Sequence, residues 1–484
     1  MCGIIGHFGR SASGQILAEA LPGFFHRGFD SAAIVTVDED GCVHKKDDIQ
    51  PTAHQKIVAD TLHGQMGVAH NRYTTAGSAT SVLERQPFIF ERDGASLIFA
   101  HNGNIVDTKE RCAALCAKGY VIRSQSDSEL LGLTFLDAYL HSKKDTTEEK
   151  VYDAVATVHT LFNDAYSVVC ALRDVGLIAF RDPYGIHPLV IMRHSQTDDW
   201  IVASEDAPLR SQGFELIGDV APGEAVIITA ATTASGHQHI LNKRQCASDP
   251  EYVPCALEYV YLARPDSTIN GISVCGVRRA LGKALGKHLL ETSSFRPDCV
   301  VPIPSTPCDA AKEVADVLGV PYVEGLIKKP RKMRTFILPY NRFKAVQDKF
   351  LVDVESLKGK NILLVDDSIV RGNTIRGVME LLKNVGCGEV HVGAYSPPVK
   401  YQNVYGISIP TTTELVANQY PDVDDRAAHL NVDGILHIPD GVFIDVFMAL
   451  SDKIKKFDFS SFFGEYITPT VTDTYLRRLE ESVQ

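Results

Sequence analysis

The stretch ILLVDDSIVRGNT, residues 362–374, decides how the second half of the chain folds. Ile362 to Val365 form an unbroken apolar run. Such a run fits a strand buried on both faces of a parallel sheet. It ends in two carboxylates, Asp366 and Asp367, and the turn Ser368, Ile369, Val370, Arg371, Gly372, Asn373, Thr374 then leads into a helix. In an open parallel sheet, ligands collect beyond the C-terminal ends of the strands. Backbone N–H groups in such a turn, backed by a helix N-terminus, suit a phosphate. Gly372 lets the backbone approach closely. The adjacent aspartates can accept hydrogen bonds from vicinal sugar hydroxyls or hold a metal ion. Together these features predict a site for a ribose 5-phosphate.

Outward from this stretch, strands alternate with helices from about residue 255. A helix is expected near 277–290, then the strand DCVVPIP (298–304), and a helix near 307–318. After the motif come a helix near 374–386 and the strand EVHVGAYS (389–396). This alternation predicts an α/β domain with a parallel sheet. Before 255 the pattern differs. CGIIGHFG, GVAHNRYT, LIFAHNGN, YSVVCALR and GLIAF read as short strands, with helices near 107–118, 126–142 and 148–160. Stacked β-sheets covered by helices are expected there. Residues 231–254 are polar and read as an irregular junction. The expected units are 2–235, 255–465 and a helical C-terminal tail over 466–484.

The totals narrow the function classes. A chain of 484 residues is too long for a single core. The net charge of -12 argues against general binding to nucleic acid or to anionic membranes, so an anionic substrate must be held by local groups. No apolar run approaches the roughly 20 residues of a spanning helix. No basic, then apolar, leader is present. Eleven cysteines in such a chain suggest reduced thiols and a cytoplasmic protein.

The 362–374 stretch closely resembles the phosphoribosyl pyrophosphate (PRPP) motif of type I phosphoribosyltransferases. LEYVYLARPDS (257–267) and VPIPSTPCDAA (301–311) resemble segments of the amidophosphoribosyltransferase, or glutamine PRPP amidotransferase, family. The likeness covers nearly the whole chain. It implies that Asp366 and Asp367 grip the ribose hydroxyls and, with Ser305, form a Mg²⁺ site. Residues 368–374 would bind the 5-phosphate, and the PIPST loop would approach the pyrophosphate. A lid over KKPRKMRTF (328–336) would contribute Lys328, Arg334 and Thr335.

At the other end, Cys2 follows the initiator methionine. FHRGFDSA (25–32), NRYTTAG (71–77), HNGN (101–104) and SDSE (126–129) come after it in order. Together they resemble class II glutamine amidotransferases, which are N-terminal-nucleophile hydrolases. The fold implied is an αββα sandwich followed by the α/β phosphoribosyltransferase domain. The resemblance makes Cys2 the nucleophile, with its own α-amino group as base once Met1 is removed. An ordinary α-amino pKa of about 7.7–8.0 suits that task. Asn102 and Gly103 would form the oxyanion hole. Arg72 would pair with the glutamine α-carboxylate and Asp127 with its α-ammonium. Thr75, within Thr74–Gly77, would line the pocket, and Arg27 would close over the substrate. His101 would order its loop rather than act as base. Read alone, HNGN also fits a hairpin turn and SDSE a helix cap with Glu129 in a capping box.

The resemblance implies glutamine and PRPP as substrates and phosphoribosylamine, glutamate and pyrophosphate as products, the first step of de novo purine synthesis. It also implies an ammonia channel near Tyr259, feedback by purine nucleotides, and a homodimer or homotetramer. A specialised-pathway amidotransferase and a non-catalytic PRPP sensor are the alternatives. Some members carry an iron–sulfur cluster. Cys255 matches the first ligand position, but KYQNVYG (400–406) lacks cysteine and the last cysteine is Cys387, so no cluster is expected. Cys275, Cys299 and Cys308 then read as buried thiols. The lid departs from the usual KNRYVGRTF, and His187 stands where arginine is common.

Overall fold

A computed structural model describes residues 1–49, 58–73, 81–106, 108–233, 236–329 and 349–481. In the first domain two antiparallel sheets stack face to face. One has seven strands with Gly3–Phe8 at its middle, flanked by Trp200–Ala203 and Met66–Arg72. The other has six, among them Ala95–Asn104, Ala165–Leu172 and Gly176–Arg181. Ile4, Val35, Val68, Ile98, Val169 and Val202 fill the space between the sheets. The helices Asp127–His141 and Thr147–Leu161 cover the outer face of the six-stranded sheet, where Leu131, Phe135 and Val155 pack on Phe99 and Phe180. Ser13–Ala20 covers the seven-stranded sheet through Leu17. The four layers match the expected αββα order.

One expectation fails here. Part of the junction expected over 231–254 is regular strand: Glu224–Thr233 pairs antiparallel with Gly236–Gln245, ten residues on each side. Gly236–Gln245 is the edge strand of its sheet. An edge strand exposed to solvent carries polar and basic residues, so its sequence lacks the apolar alternation that marks an inner strand. The 2–235 boundary therefore cuts between these two paired strands.

The second domain holds four parallel strands in the order Cys299–Pro302, Ile362–Asp366, Val390–Ala394, Gly434–His437. Ile362–Asp366 is an inner strand. Leu363 and Val365 pack beneath the helix Val274–Thr292 with Leu281 and Leu285. Ile362 and Leu364 face the other way, onto Ile375, Val378 and Leu382 of the helix Asn373–Val385. The unbroken apolar run thus serves two cores at once. Leu364→Ala should cost about 2–5 kcal/mol, because the site is fully buried on that inner strand. A lower urea midpoint for this domain checks it. Cys299 is buried as expected, whereas Cys275 and Cys308 are half-buried. The tail helix Asp473–Glu481 packs Tyr475, Leu476 and Leu479 on the core of the second domain. No helix among the described residues is long and apolar enough to cross a membrane.

Candidate functional site

Strand register brings the N-terminal motifs together. Gly3 pairs with Asn71, so Cys2 lies beside the end of Met66–Arg72. The Tyr73 N–H donates to the Cys2 Sγ at 3.4 Å, and the thiol lies 3.7 Å from the Tyr73 carbonyl. The Cys2 N–H donates to Asn102 Oδ1 at 2.9 Å. Because Asn102 accepts through its oxygen, its Nδ2 is left for another acceptor, and that atom is buried with no partner. It is a preorganised hydrogen-bond donor next to a thiol. Gly103 follows, with φ +153°, and a Cβ there would lie 2.1 Å from the Ala165 carbonyl. Only glycine fits so close an approach.

Met1 is present and buried, so the Cys2 nitrogen is an amide. Burial lowers the Met1 α-amino pKa to about 5. Burial pushes the Cys2 thiol up, and the amine opposes this only in part. Nearby His70 and His101 are held neutral by burial, with pKa values of about 3 and about 4. His101 is tied to its surroundings as expected: Nδ1 is 2.9 Å from Ser128 Oγ, and its N–H donates to Gln86 Oε1 at 2.7 Å.

The Arg27 side chain is fully buried and already held by other groups of the chain. Nε donates to the Cys2 carbonyl at 3.1 Å, Nη1 pairs with Glu205, and Nη2 donates to Glu258 Oε1 at 2.6 Å. Burial alone would raise the Glu205 carboxyl, but Arg27 and His26 hold it well below the usual range. Glu205 also accepts from the Arg264 N–H at 2.9 Å and the Ser267 hydroxyl at 2.7 Å. The pair thus ties the Cys2 backbone to the ARPDS segment of the second domain. His187 keeps its place beside this network, with Nδ1 3.9 Å from Glu258.

Arg72 donates to Glu84 Oε2 at 2.7 Å. Asp127 Oδ2 accepts the Ile105 N–H at 2.9 Å from the first turn of its helix. The capping box does not form: Ser126 makes no side-chain cap, and Glu129 instead accepts from the Arg123 and Ser124 N–H groups at 2.9 and 2.7 Å. Thr75 lies outside the described residues, as do Arg334 and Thr335 of the expected lid.

In the second domain, Asp366 closes its strand and Gly372 takes φ +74° to start the helix. Asp366 Oδ1 accepts the Asp367 N–H at 2.9 Å, and Asp367 Oδ1 accepts the Ser368 hydroxyl at 2.7 Å. Burial pushes both carboxyls up, Asp367 to about 6, and repulsion by Asp367 adds to the rise at Asp366. Lys328 Nζ donates to Ser305 Oγ at 3.3 Å, so those two expected residues meet. Arg371 is held by Glu414 through two contacts of 2.6 Å and donates to the Ser408 carbonyl at 3.2 Å. Tyr259 is fully buried among Phe447 and Phe457, and its hydroxyl accepts from Asn270 Nδ2 at 2.9 Å.

The two ends approach each other. The Tyr73 phenol lies near Ser408 and Arg371. Half-exposed Tyr261 lies near Asp366, Asp367 and Tyr73. Asn104, beside Gly103, donates to the Val404 carbonyl at 2.8 Å. Glu84, Glu205 and Glu414 escaped sequence reading because no motif marks them. Glu258 lies inside a quoted segment, but its role depends on a partner 231 residues away.

The family model of a glutamine amidotransferase domain matches residues 70–211, and that of a phosphoribosyl transferase domain matches 276–396. The chain is 38% identical to an amidophosphoribosyltransferase of Pseudomonas aeruginosa, covering 100% of this chain and 96% of that protein. It is 37% identical to one of Escherichia coli, covering 99% and 95%. A solved glutamine PRPP amidotransferase from B. subtilis, complexed with ADP and GMP, superposes with a TM-score of 0.82 at 28% identity, over 98% of each chain.

Proposed function

Because the chain belongs to the amidophosphoribosyltransferase family, we propose that its Cys2 attacks the side-chain amide of glutamine and that the ammonia released is passed to C1 of PRPP. Glutamine, PRPP and water become glutamate, 5-phosphoribosylamine and pyrophosphate. One observation carries this reading. A single chain places a thiol beside an unpartnered buried amide donor in one domain and a carboxylate-lined phosphate turn in the other.

The thiol is protonated at neutral pH, because burial raises its pKa. Attack therefore needs a base. His70 and His101 are too acidic to serve, so the proton goes to the α-amino group that Cys2 gains when Met1 is removed. Asn102 Nδ2 and the Gly103 N–H stabilise the tetrahedral oxyanion, and water then releases glutamate. Arg72 and Asp127 take the α-carboxylate and α-ammonium of glutamine, Thr75 lines that pocket, and Arg27 holds the Cys2 carbonyl in place.

At the other site the 368–374 turn binds the 5-phosphate, Asp366 and Asp367 the ribose hydroxyls, and Ser305, Lys328 and Arg334 the pyrophosphate. Two adjacent carboxylates and a hydroxyl suit a hard, oxygen-seeking cation such as Mg²⁺. When bound, it neutralises charge on the leaving pyrophosphate. The chain's own groups orient C1 toward the incoming ammonia, and Tyr259 lines its passage. Feedback by purine nucleotides and a homo-oligomeric state complete the proposal.

Glutamate release should depend on PRPP, and this is the experiment that tests the reading. Glutamate formed at one rate with or without PRPP, or no pyrophosphate formed at all, would overturn it; PRPP binding without turnover would favour the sensor instead. Glutamine kcat/KM should fall as pH drops through the ordinary α-amino range of about 7.7–8.0, because the ammonium cannot accept the thiol proton. A kcat/KM that stays level as pH falls through that range would contradict it.

A further inference from the structure

Residues Glu258–Leu262 form one π-turn, closed by the bond from the Ala263 N–H to the Glu258 carbonyl at 2.8 Å. A π-turn wraps five residues per bond, so it leaves carbonyls that an α-helix would satisfy internally. Here two side chains of the second domain take them. Arg278 donates from Nε to the Tyr259 carbonyl at 2.9 Å and from Nη2 to the Ala263 carbonyl at 2.7 Å. The Tyr395 hydroxyl donates to the Val260 carbonyl at 2.8 Å. Both side chains are buried. The turn's geometry is therefore dictated from outside rather than by its own hydrogen-bond ladder.

Tyr395 is fixed at the phosphate turn. It directly follows the strand Val390–Ala394, whose register sets Ala394 opposite Asp366, and its own N–H donates to the Asp366 carbonyl at 3.3 Å. Its phenol is a rigid strut between the end of the PRPP strand and the π-turn. On the turn's far side, Glu258 holds Arg27, and Arg27 holds the Cys2 carbonyl. One buried chain of contacts thus runs from Asp366 to the nucleophile.

We propose that Tyr395 and Arg278 are positioning residues that lock the 258–262 segment as a π-turn, so that occupancy of the PRPP turn sets Glu258, Arg27 and through them Cys2. The inference rests on the function proposed above. If Tyr395 lets go of the Val260 carbonyl, the segment can relax toward an α-turn. That shift rotates Glu258 away from Arg27 and leaves Tyr259 in a different place. The π-turn is the two-state element that such coupling requires.

Tyr395→Phe removes only the hydroxyl. Its ammonia-driven use of PRPP should stay within about twofold of the parent, a change no larger than independent sites show. The factor by which PRPP stimulates glutamate release should fall about tenfold, as expected for one buried carbonyl left unsatisfied. Arg278→Lys, which can reach one carbonyl but not both, should lower the same factor less. In the unaltered protein, PRPP should slow hydrogen exchange at amides 259–263. A stimulation factor unchanged in both variants, ammonia- and glutamine-driven rates falling in parallel, or exchange indifferent to PRPP would each overturn the inference. Parent protein showing no stimulation by PRPP would instead defeat the proposed function.

Discussion

Cys2→Ala should lower glutamine-driven phosphoribosylamine synthesis by at least about 10³-fold, the scale of losing a catalytic nucleophile. Synthesis driven by free ammonia should stay within about twofold, since alanine keeps the Cys2 backbone contacts with Asn102 and Arg27 and removes no group at the PRPP turn. The contrast follows from placement. Cys2 touches Tyr73 and Asn102 in the glutaminase domain and no residue of the PRPP turn. Alanine keeps the small second residue that favours removal of Met1, and it leaves the Asn102 bond to the backbone nitrogen intact. Any loss is then the loss of sulfur. The two rates are measured side by side on one preparation, so ammonia-driven synthesis serves as the control for folding. Glutamine-driven synthesis surviving above a tenth of the parent rate would mean that another group attacks the amide. A form that keeps Met1 should behave like Cys2→Ala, because its Cys2 nitrogen is an amide and cannot accept the thiol proton.

Much of this arrangement is legible in the sequence, and the boundary of legibility has a physical cause. The strand of Ile362–Val365 and the turn after it are written in adjacent residues, where apolar continuity, paired carboxylates and a glycine act over a few positions. Cys2, Asn102 and Gly103 are legible as short motifs in order, and strand register then brings them together. What escapes is pairing over distance. Arg27 reads as a mobile gate because its carboxylate partners stand 178 and 231 residues away. Tyr395 reads as the end of a strand, and its strut is visible only when a π-turn 135 residues upstream presents a free carbonyl. The strand Gly236–Gln245 escapes for a different reason: its partner strand pairs with its backbone, and its polar and basic residues conceal it at the edge of the sheet. The failed capping box shows local competition, since the backbone N–H groups of Arg123 and Ser124 take the carboxylate that Ser126 was expected to share.

Asp367→Asn should separate activity from stability more sharply than any change near Cys2. Its carboxylate lies at the C-terminal end of that strand, buried and next to Asp366, and burial raises the pKa of each. Charging both in that setting costs stability in the ligand-free protein, and on the proposed function the pair is there for the sugar phosphate and its cation. Removing one should therefore raise the thermal midpoint, or at least leave it unchanged. The same substitution should lower PRPP turnover by about 10²-fold or more with glutamine and with ammonia alike, because a preorganised charge is lost where the transition state develops its own. Equal losses with both nitrogen sources distinguish this residue from Cys2, whose loss spares ammonia. They distinguish it also from Tyr395, whose loss spares ammonia but reduces stimulation of the glutaminase. Asp367→Asn protein that melts earlier than its parent would show that the carboxylate holds the strand end together, and the assignment of Asp367 to substrate would then fail.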